Sequence, residues 1–215
     1  MVQAFQLAEH KLAGLLTEHM YAHGFEWIEA MHQFRKTTPY GFKCFILSTT
    51  VYDDLSICEF HAGIRFDQLE SIAFPYTNGL KGFSAHSMSL VTSLAKLKGE
   101  RFERFEVRSI EDIYKLNRNA WSDFVKTARP FFKAHDNLIA LDRLFNDTPT
   151  QTLKWVNNNI DRCFRGLVIA HVINNPNFNK LKEIYREELI KANAPESTSL
   201  KYEELANFLD SYIAN

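Results

Sequence analysis

The sequence predicts an α+β fold: an N-terminal helix on an antiparallel sheet of three to five strands, followed by an α-helical C-terminal half. The strongest observation is the alternation of apolar and polar residues over 42–66, which predicts a β-hairpin. Apolar residues at helical spacing dominate the first 22 residues and the chain after residue 109. We expect residues 1–215 to form one integrated domain, with a helix-plus-sheet subdomain at 1–108 and a helical subdomain at 109–215.

The first helix is predicted over residues 3–22. Ala8, Leu12 and Leu16 repeat at a spacing that places them on one side of a helix. Gly24 follows where a residue with positive φ commonly ends a helix. A single first strand is then expected from Phe25 to about residue 37.

The hairpin over 42–66 has a predicted register as well as a predicted extent. If Asp53 and Asp54 form a two-residue turn, paired residue numbers sum to 107, and both arms agree on one apolar face. That face holds Phe45, Leu47, Val51, Ser56, Cys58, Phe60, Ala62 and Ile64. We expect Phe45, Leu47, Phe60 and Ile64 to form the main sheet core beneath the first helix, and Ser48, Glu59, His61 and Arg65 to point away from it.

The turn at residues 38–41 (TPYG) connects the first strand to the hairpin. As a four-residue loop, it would bring Trp27, Gln33 and Arg35 to the face that carries Glu59 and His61. One extra residue in the loop would reverse that assignment.

Residues 86–108 admit two interpretations. Two further strands around Lys98 and Gly99 are favoured, although 88–97 would also tolerate a helix. Ser109 then resembles the start of a capping box, with Asp112 in the place of glutamate, and a helical face continues until Pro130. Five short helices are expected in this half, and the further predicted starts lie at Asp136, Thr148-Pro149, Asn175-Pro176 and around Ser199.

The candidate binding residues lie mainly on the polar side of the predicted sheet. They are Trp27, Gln33, Ser48, Glu59, His61 and Arg65. A carboxylate near an imidazole could tune His61 as a general base. Alternating polar residues on a strand are also typical of a solvated or helix-covered face, so no catalytic residue is predicted.

Composition and motifs exclude several classes of function. The net charge of −1 gives no global attraction for nucleic acid or anionic membranes, and the acidic residues within the Lys96–Arg108 segment offset its basic ones. Phosphate-loop, dinucleotide-binding, HExxH and GxSxG motifs are missing from the sequence. No apolar run reaches the length of a membrane span, so no membrane partner is expected. Three cysteines without paired spacing indicate a reducing compartment, and we expect a soluble, cytoplasmic protein.

No metal or other cofactor is expected. His19 and His23 are four residues apart, a spacing that can chelate a metal, but no third ligand accompanies them. Their position in the last turn of a helix also suits cations near the helix C-terminus. The cysteines are interpreted as small buried apolar residues.

The order of several segments resembles a known family. These are HGF after the first helix, HQFRKT, FHAGIRF and the later AHVINNPNFNKLKEIYREEL. Over roughly residues 5–190, this order resembles the bacterial domain of unknown function 4304. The family has no established activity or catalytic residues, and its association with toxin-immunity neighbourhoods implies a protein-binding role.

The preferred function is therefore a non-catalytic cytoplasmic interaction module, immunity-like in its role, that binds a protein partner. The alternative is a small-molecule-binding protein or an unclassified hydrolase that uses Glu59, His61 and Arg65. A pocket of converging polar groups would favour the alternative, whereas an apolar surface patch would favour the module. The sequence leaves the partner and the oligomeric state open.

Overall fold

The α+β class is confirmed by the computed structural model, which describes residues 2–156 and 158–212, with the side chains of 2–7 and 81 left out. The helices, in chain order, are α1 Val2–Tyr21, α2 Asp67–Ala73, α3 Leu94–Leu97, α4 Ile110–Asp123, α5 Arg129–Ala134, α6 Leu138–Asn146, α7 Asn159–Val172, α8 Phe178–Lys191 and α9 Glu196–Ser211. The strands are β1 Glu26–Ile28, β2 Gln33–Thr38, β3 Gly41–Val51, β4 Ser56–Phe66, β5 Leu90–Ser93 and β6 Phe105–Val107.

Two compact units interleave along the chain. Unit 1 comprises Met1–Ile64 and Val91–Ala134, and unit 2 comprises Arg65–Leu90 and His135–Asn215. These bounds differ from the 1–108 and 109–215 subdomains that the sequence suggested. Segment 65–90 groups with the later helices, and the segment around α4 groups with the sheet.

Helix α1 ends as the sequence predicted. Gly24 has φ +77°, and Phe25 N and Gly24 N donate to Met20 O and Tyr21 O, respectively. This pair of bonds is a Schellman cap, which requires a left-handed residue at the glycine position. Ala8, Leu12, Leu16 and Met20 form one buried stripe along the helix.

The strand order is β1-β2-β3-β4-β5, and β6 pairs with β4 over Ser56–Cys58. The two strands predicted around Lys98 and Gly99 both occur, as β5 and β6, and each pairs with β4 rather than with the other. Both alternatives for 88–97 occur in part: β5 is a strand, and the single turn of α3 follows it directly.

The first strand is not continuous. A 3₁₀ turn at Glu29–Met31 and a left-handed His32, with φ 50°, reverse the chain so that β1 pairs antiparallel with β2. The predicted single strand from Phe25 to residue 37 is wrong, and Trp27 lies opposite Phe34.

The hairpin register is confirmed. Tyr52 N donates to Leu55 O, and the Thr49 hydroxyl lies 3.7 Å from the Cys58 thiol, so paired numbers sum to 107 as predicted. On the other side, Thr38 pairs with Gly41, so the loop into β3 also has the expected length. The two registers together fix which residues of β2, β3 and β4 share a face.

The apolar face of this sheet forms the core of unit 1. Phe45, Leu47, Phe60 and Ile64 are all buried, and the Phe45 ring stacks on Phe60 at 5.5 Å. Phe45 also meets Phe124 edge to face, so the helical segment after α4 covers this core together with α1. Val51 was expected on the buried face, but it lies next to the turn at the hairpin tip and is exposed.

The helix that starts after Ser109 was predicted to end at Pro130, and this prediction is wrong. A π-helical segment, Phe124–Ala128, joins α4 to α5, and Pro130 is the second residue of α5. Proline lacks an N–H and crowds the carbonyl four residues earlier, and a widened turn relieves both problems without stopping the helix. The Ser109–Asp112 capping box is confirmed, as is the buried face from Ile113 to Ala128.

After residue 109 the described chain holds five continuous helical stretches if α4 to α5 counts as one, as the sequence predicted. Two of these helices begin at other residues than the sequence predicted. Helix α7 begins at Asn159 rather than after Pro149, and α9 begins at Glu196 rather than around Ser199.

Unit 2 contains a buried ion pair and closely packed helices. Glu70 of α2 accepts from Arg165 of α7 at 2.8 and 3.0 Å. Burial raises the pKa of Glu70, but the charge and hydrogen bonds of Arg165, together with hydrogen bonds from Ser87 and Ser89, outweigh burial and hold that pKa below 4.5.

None of the described helices is both long enough and apolar enough to cross a membrane.

Candidate functional site

The predicted binding residues divide between the two sides of the sheet. The registers place Ser48 opposite Glu59, and Ile46 opposite both Gln33 and His61. These residues belong to the side away from the Phe45 and Phe60 core, which we call the outer face. Four of the six predicted residues, Gln33, Ser48, Glu59 and His61, therefore share the outer face of unit 1, as expected.

Trp27 does not belong to the outer face. It pairs with Phe34, and the two rings lie 4.9 Å apart on the apolar side. The assignment of Trp27 depended on a continuous first strand, and the reversal at His32 inverts it.

Arg65 alternates along β4 with Glu59 and His61, as a residue of the outer face would, but it is buried. Its guanidinium donates to Asp67 at 2.5 Å, to the carbonyls of Ser84 and Ser87, and to the Ser87 hydroxyl. These partners all belong to unit 2, as Arg65 does. Arg65 thus binds the chain segment that follows β4, and it does not present its charge to solvent.

Gln33 is also buried. With its amide oxygen turned towards Arg35, it accepts from Nε at 3.2 Å and from Nη2 at 2.5 Å. Arg35 lies flat on Phe42, 3.8 Å from the ring centroid, and Cys44 beside it is fully buried. The end of the outer face near Arg35 and Cys44 is therefore covered.

The other end of the outer face is open to solvent. Tyr52 is 52% exposed, Phe102 64%, and the side chains of Arg104 and Arg108 are 60% and 50% exposed. We call these four residues the open end. The Arg104 guanidinium lies 5.9 Å from the Phe102 ring.

Ion pairs hold the arginines of the open end in place. Arg104 Nε donates to Glu59 Oε1 at 2.8 Å, and Arg108 Nη1 donates to Asp54 Oδ2 at 2.7 Å. Arg108 also contacts Glu106 at 3.2 Å. The acidic and basic charges of the open end thus neutralise each other locally, as the interleaved charges in the sequence suggested.

His61 and Glu59 do not form a hydrogen-bonded pair in the described residues, because Glu59 is bound by Arg104. Burial lowers the pKa of His61 below its usual 6.5; the charge of Glu59 opposes that effect and the charge of Lys96 adds to it. His61 is therefore a neutral and weak base at pH 7. The arrangement suits contact with another surface better than proton transfer.

None of the four open-end residues was among the binding residues predicted from the sequence. Arg104 and Arg108 were noticed only as part of a basic segment. Alternation in residues 102–108 (FERFEVR) was the available signal, since it places Arg104 and Arg108 on one side and Phe105 and Val107 on the other.

Within the described residues, no group of three or more histidine, cysteine and acidic side chains could hold a metal ion. His19 stacks on Trp121 at 4.8 Å, and His23 Nδ1 lies 3.0 Å from the carbonyl of His19. The three cysteines are buried and form no disulfide with one another, and burial raises the pKa of the Cys44 and Cys163 thiols to about 12.

Comparisons with protein-family models, with curated proteins and with solved structures find no match to this chain. The resemblance to domain of unknown function 4304 therefore stays a prediction from the order of its segments.

Proposed function

We propose that this chain is a non-catalytic protein-binding module and that the open end of the outer face contacts the partner. The observation that carries the proposal is the exposure of Tyr52, Phe102, Arg104 and Arg108 on one side of a small sheet. Aromatic and arginine side chains are the residues that contribute most at protein interfaces, because they combine a large contact area with directional hydrogen bonds.

The scaffold behind the open end supports this role. Tyr52 follows β3, whose neighbour β4 buries Phe60, and β6 pairs with β4 beside Arg104. Side chains on paired strands keep their spacing, so less conformational entropy is lost when a partner binds. The ion pairs of Arg104 and Arg108 further restrict these long side chains before binding.

The charge pattern favours a protein partner over nucleic acid or an anionic membrane. Each arginine of the open end already contacts a carboxylate, and the whole chain has a net charge of −1. A polyanion would have to displace those carboxylates. A protein surface with an apolar centre can instead cover Tyr52 and Phe102 and leave the ion pairs at the rim.

The alternative, a ligand site or hydrolase at Glu59, His61 and Arg65, has less support. Glu59 is bound by Arg104, His61 makes no hydrogen bond to Glu59, and Arg65 is buried among its own partners. The three side chains therefore do not converge on one reacting atom.

A cytoplasmic location belongs to the same proposal. The three cysteines are buried and form no disulfide with one another, as suits a reducing compartment. The immunity-like role implied by the family resemblance would make the partner a toxin protein.

The test is affinity capture with quantitative mass spectrometry, in which the double variant Tyr52→Ala/Arg104→Ala is compared with the wild type. Phe83→Ala is the matched control, because Phe83 is 53% exposed and lies in unit 2. We expect proteins captured by the wild type and by Phe83→Ala to be lost with the double variant, while its melting temperature stays within a few degrees. Equal capture by all three proteins would refute the proposal.

A further inference from the structure

A cleft of about 240 Å³ lies within unit 2, and none of its lining residues belongs to the outer face. It opens between the first turn of α7, the last turn of α8 and the connection that follows α6. Arg162 and Cys163 line its inner wall, and Glu188 and Lys191 line it from α8.

Arg162 places a fixed positive charge in this wall. It is 3% exposed, and its guanidinium donates to the backbone carbonyls of Phe145, Thr148 and Gln151, at 3.2 Å from Nε, 3.0 Å from Nη2 and 2.5 Å from Nη1. A second bond from Nη2 reaches Phe145 O. No carboxylate is among its hydrogen-bond partners in the described chain, although a buried cation is normally paired with one.

Among the residues that line the cleft, the charges sum to a positive value, while the carboxylates of Asp161 and Asp142 act on Cys163 and Tyr185 from outside the lining. Lys191 donates to Glu188 at 2.7 Å, so these two side chains neutralise each other, and Arg162 remains. The cleft also adjoins the N-terminus of α7, where Asn158 caps the N–H groups of Ile160 and Asp161. An anion in the cleft would therefore be favoured by both the guanidinium and the helix dipole.

The remaining side chains of the wall are suited to binding and not to chemistry. The Cys163 thiol donates to Asn159 O at 3.3 Å, and burial raises its pKa to about 12, so it is not a nucleophile at neutral pH. Burial also raises the pKa of Tyr185, whose hydroxyl donates to Asn146 Oδ1. Gln151, Thr152 and Asn159 add neutral amide and hydroxyl groups to the lining.

We propose that this cleft binds a small organic carboxylate, with the carboxylate group directed towards Arg162. Four of the five N–H groups of Arg162 already donate to backbone carbonyls, so the guanidinium offers a ligand at most one further donor, and the two oxygens of a carboxylate need fewer donors than the three oxygens of a phosphate. The volume is that of about eight water molecules at about 30 Å³ each, which limits the ligand to a single small ring or a short chain.

Benzoate and benzamide form a matched pair of probes, because they share a shape and differ in charge. Saturation-transfer NMR and calorimetry on the full chain should detect binding of benzoate and at least about fivefold weaker binding of benzamide. Lys191→Glu, whose native side chain is 60% exposed, should weaken benzoate binding about fivefold without unfolding the protein. Lys154→Glu makes the same charge change at an exposed site outside the lining and should leave benzoate binding unchanged.

Inorganic phosphate serves as a third probe. Binding of phosphate without benzoate would overturn the carboxylate assignment. The proposal also fails if benzoate and benzamide bind equally, if neither binds, or if both lysine variants behave like the wild type.

Discussion

Phe60→Ala tests the face assignment on which the outer face depends. Phe60 is 3% exposed, and its ring lies 5.5 Å from the rings of both Phe45 and Phe105. Removing a fully buried phenylalanine costs about 3–5 kcal/mol, which includes the loss of favourable ring contacts. We expect the free energy of unfolding to fall by about 4 kcal/mol.

The assay is urea denaturation followed by tryptophan fluorescence in a Trp155→Phe background. Of the three tryptophans, only Trp155 lies in unit 2, so the signal then comes from Trp27 and Trp121 in unit 1. The control is Phe102→Ala, since Phe102 is 64% exposed and its loss should change stability by no more than about 0.5 kcal/mol. A loss below about 1 kcal/mol for Phe60→Ala would mean that the two faces of the sheet have been interchanged.

Three further predictions concern particular backbone and ionic features. Gly24→Ala should lower the free energy of unfolding by about 1 kcal/mol, because the φ angle of Gly24 is +77°. Gly14→Ala is the control: this glycine lies in open space within α1, so the change should raise the free energy of unfolding slightly, and thermal unfolding compares the two variants. Gly166→Ala should cost about 1–3 kcal/mol in denaturant, because the new Cβ would lie 2.5 Å from the Tyr185 hydroxyl. Since the pKa of Glu70 is lowered, its stabilising contribution is lost as pH falls below 4.5, and Glu70→Gln should abolish that part of the acid sensitivity in urea titrations.

The sequence was sufficient to predict the parts of the fold that local patterns determine. Alternation over both arms and a two-residue turn fixed the register of β3 and β4, and the Ser109 capping box marked the start of α4. The reversal at His32 escaped prediction because a non-glycine residue adopts the left-handed conformation there, without the usual turn residues. The helix through Pro130 was missed because the π segment that accommodates proline has no sequence signature.

Long-range contacts determine which candidate residues are exposed, and the sequence could not predict these contacts. Arg65 has the parity of Glu59 and His61, and only the folded positions of Ser84 and Ser87 reveal that it is buried. Arg104 reaches Glu59 across 45 positions of the chain. Periodicity therefore identified the face, whereas the exposed part of that face depended on which residues the rest of the fold covers.

Photo-crosslinking at position 52 tests the central claim most directly, because it reports contact and not an indirect loss of stability. The photoreactive residue p-benzoylphenylalanine would replace Tyr52 at the open end in one protein and Phe83 in unit 2 in another. If the open end binds a protein, irradiation in a cell extract should give a discrete adduct from position 52 and none from position 83, and unlabelled wild-type protein should compete with it. Adducts from position 83 alone, or none from position 52, would contradict the account.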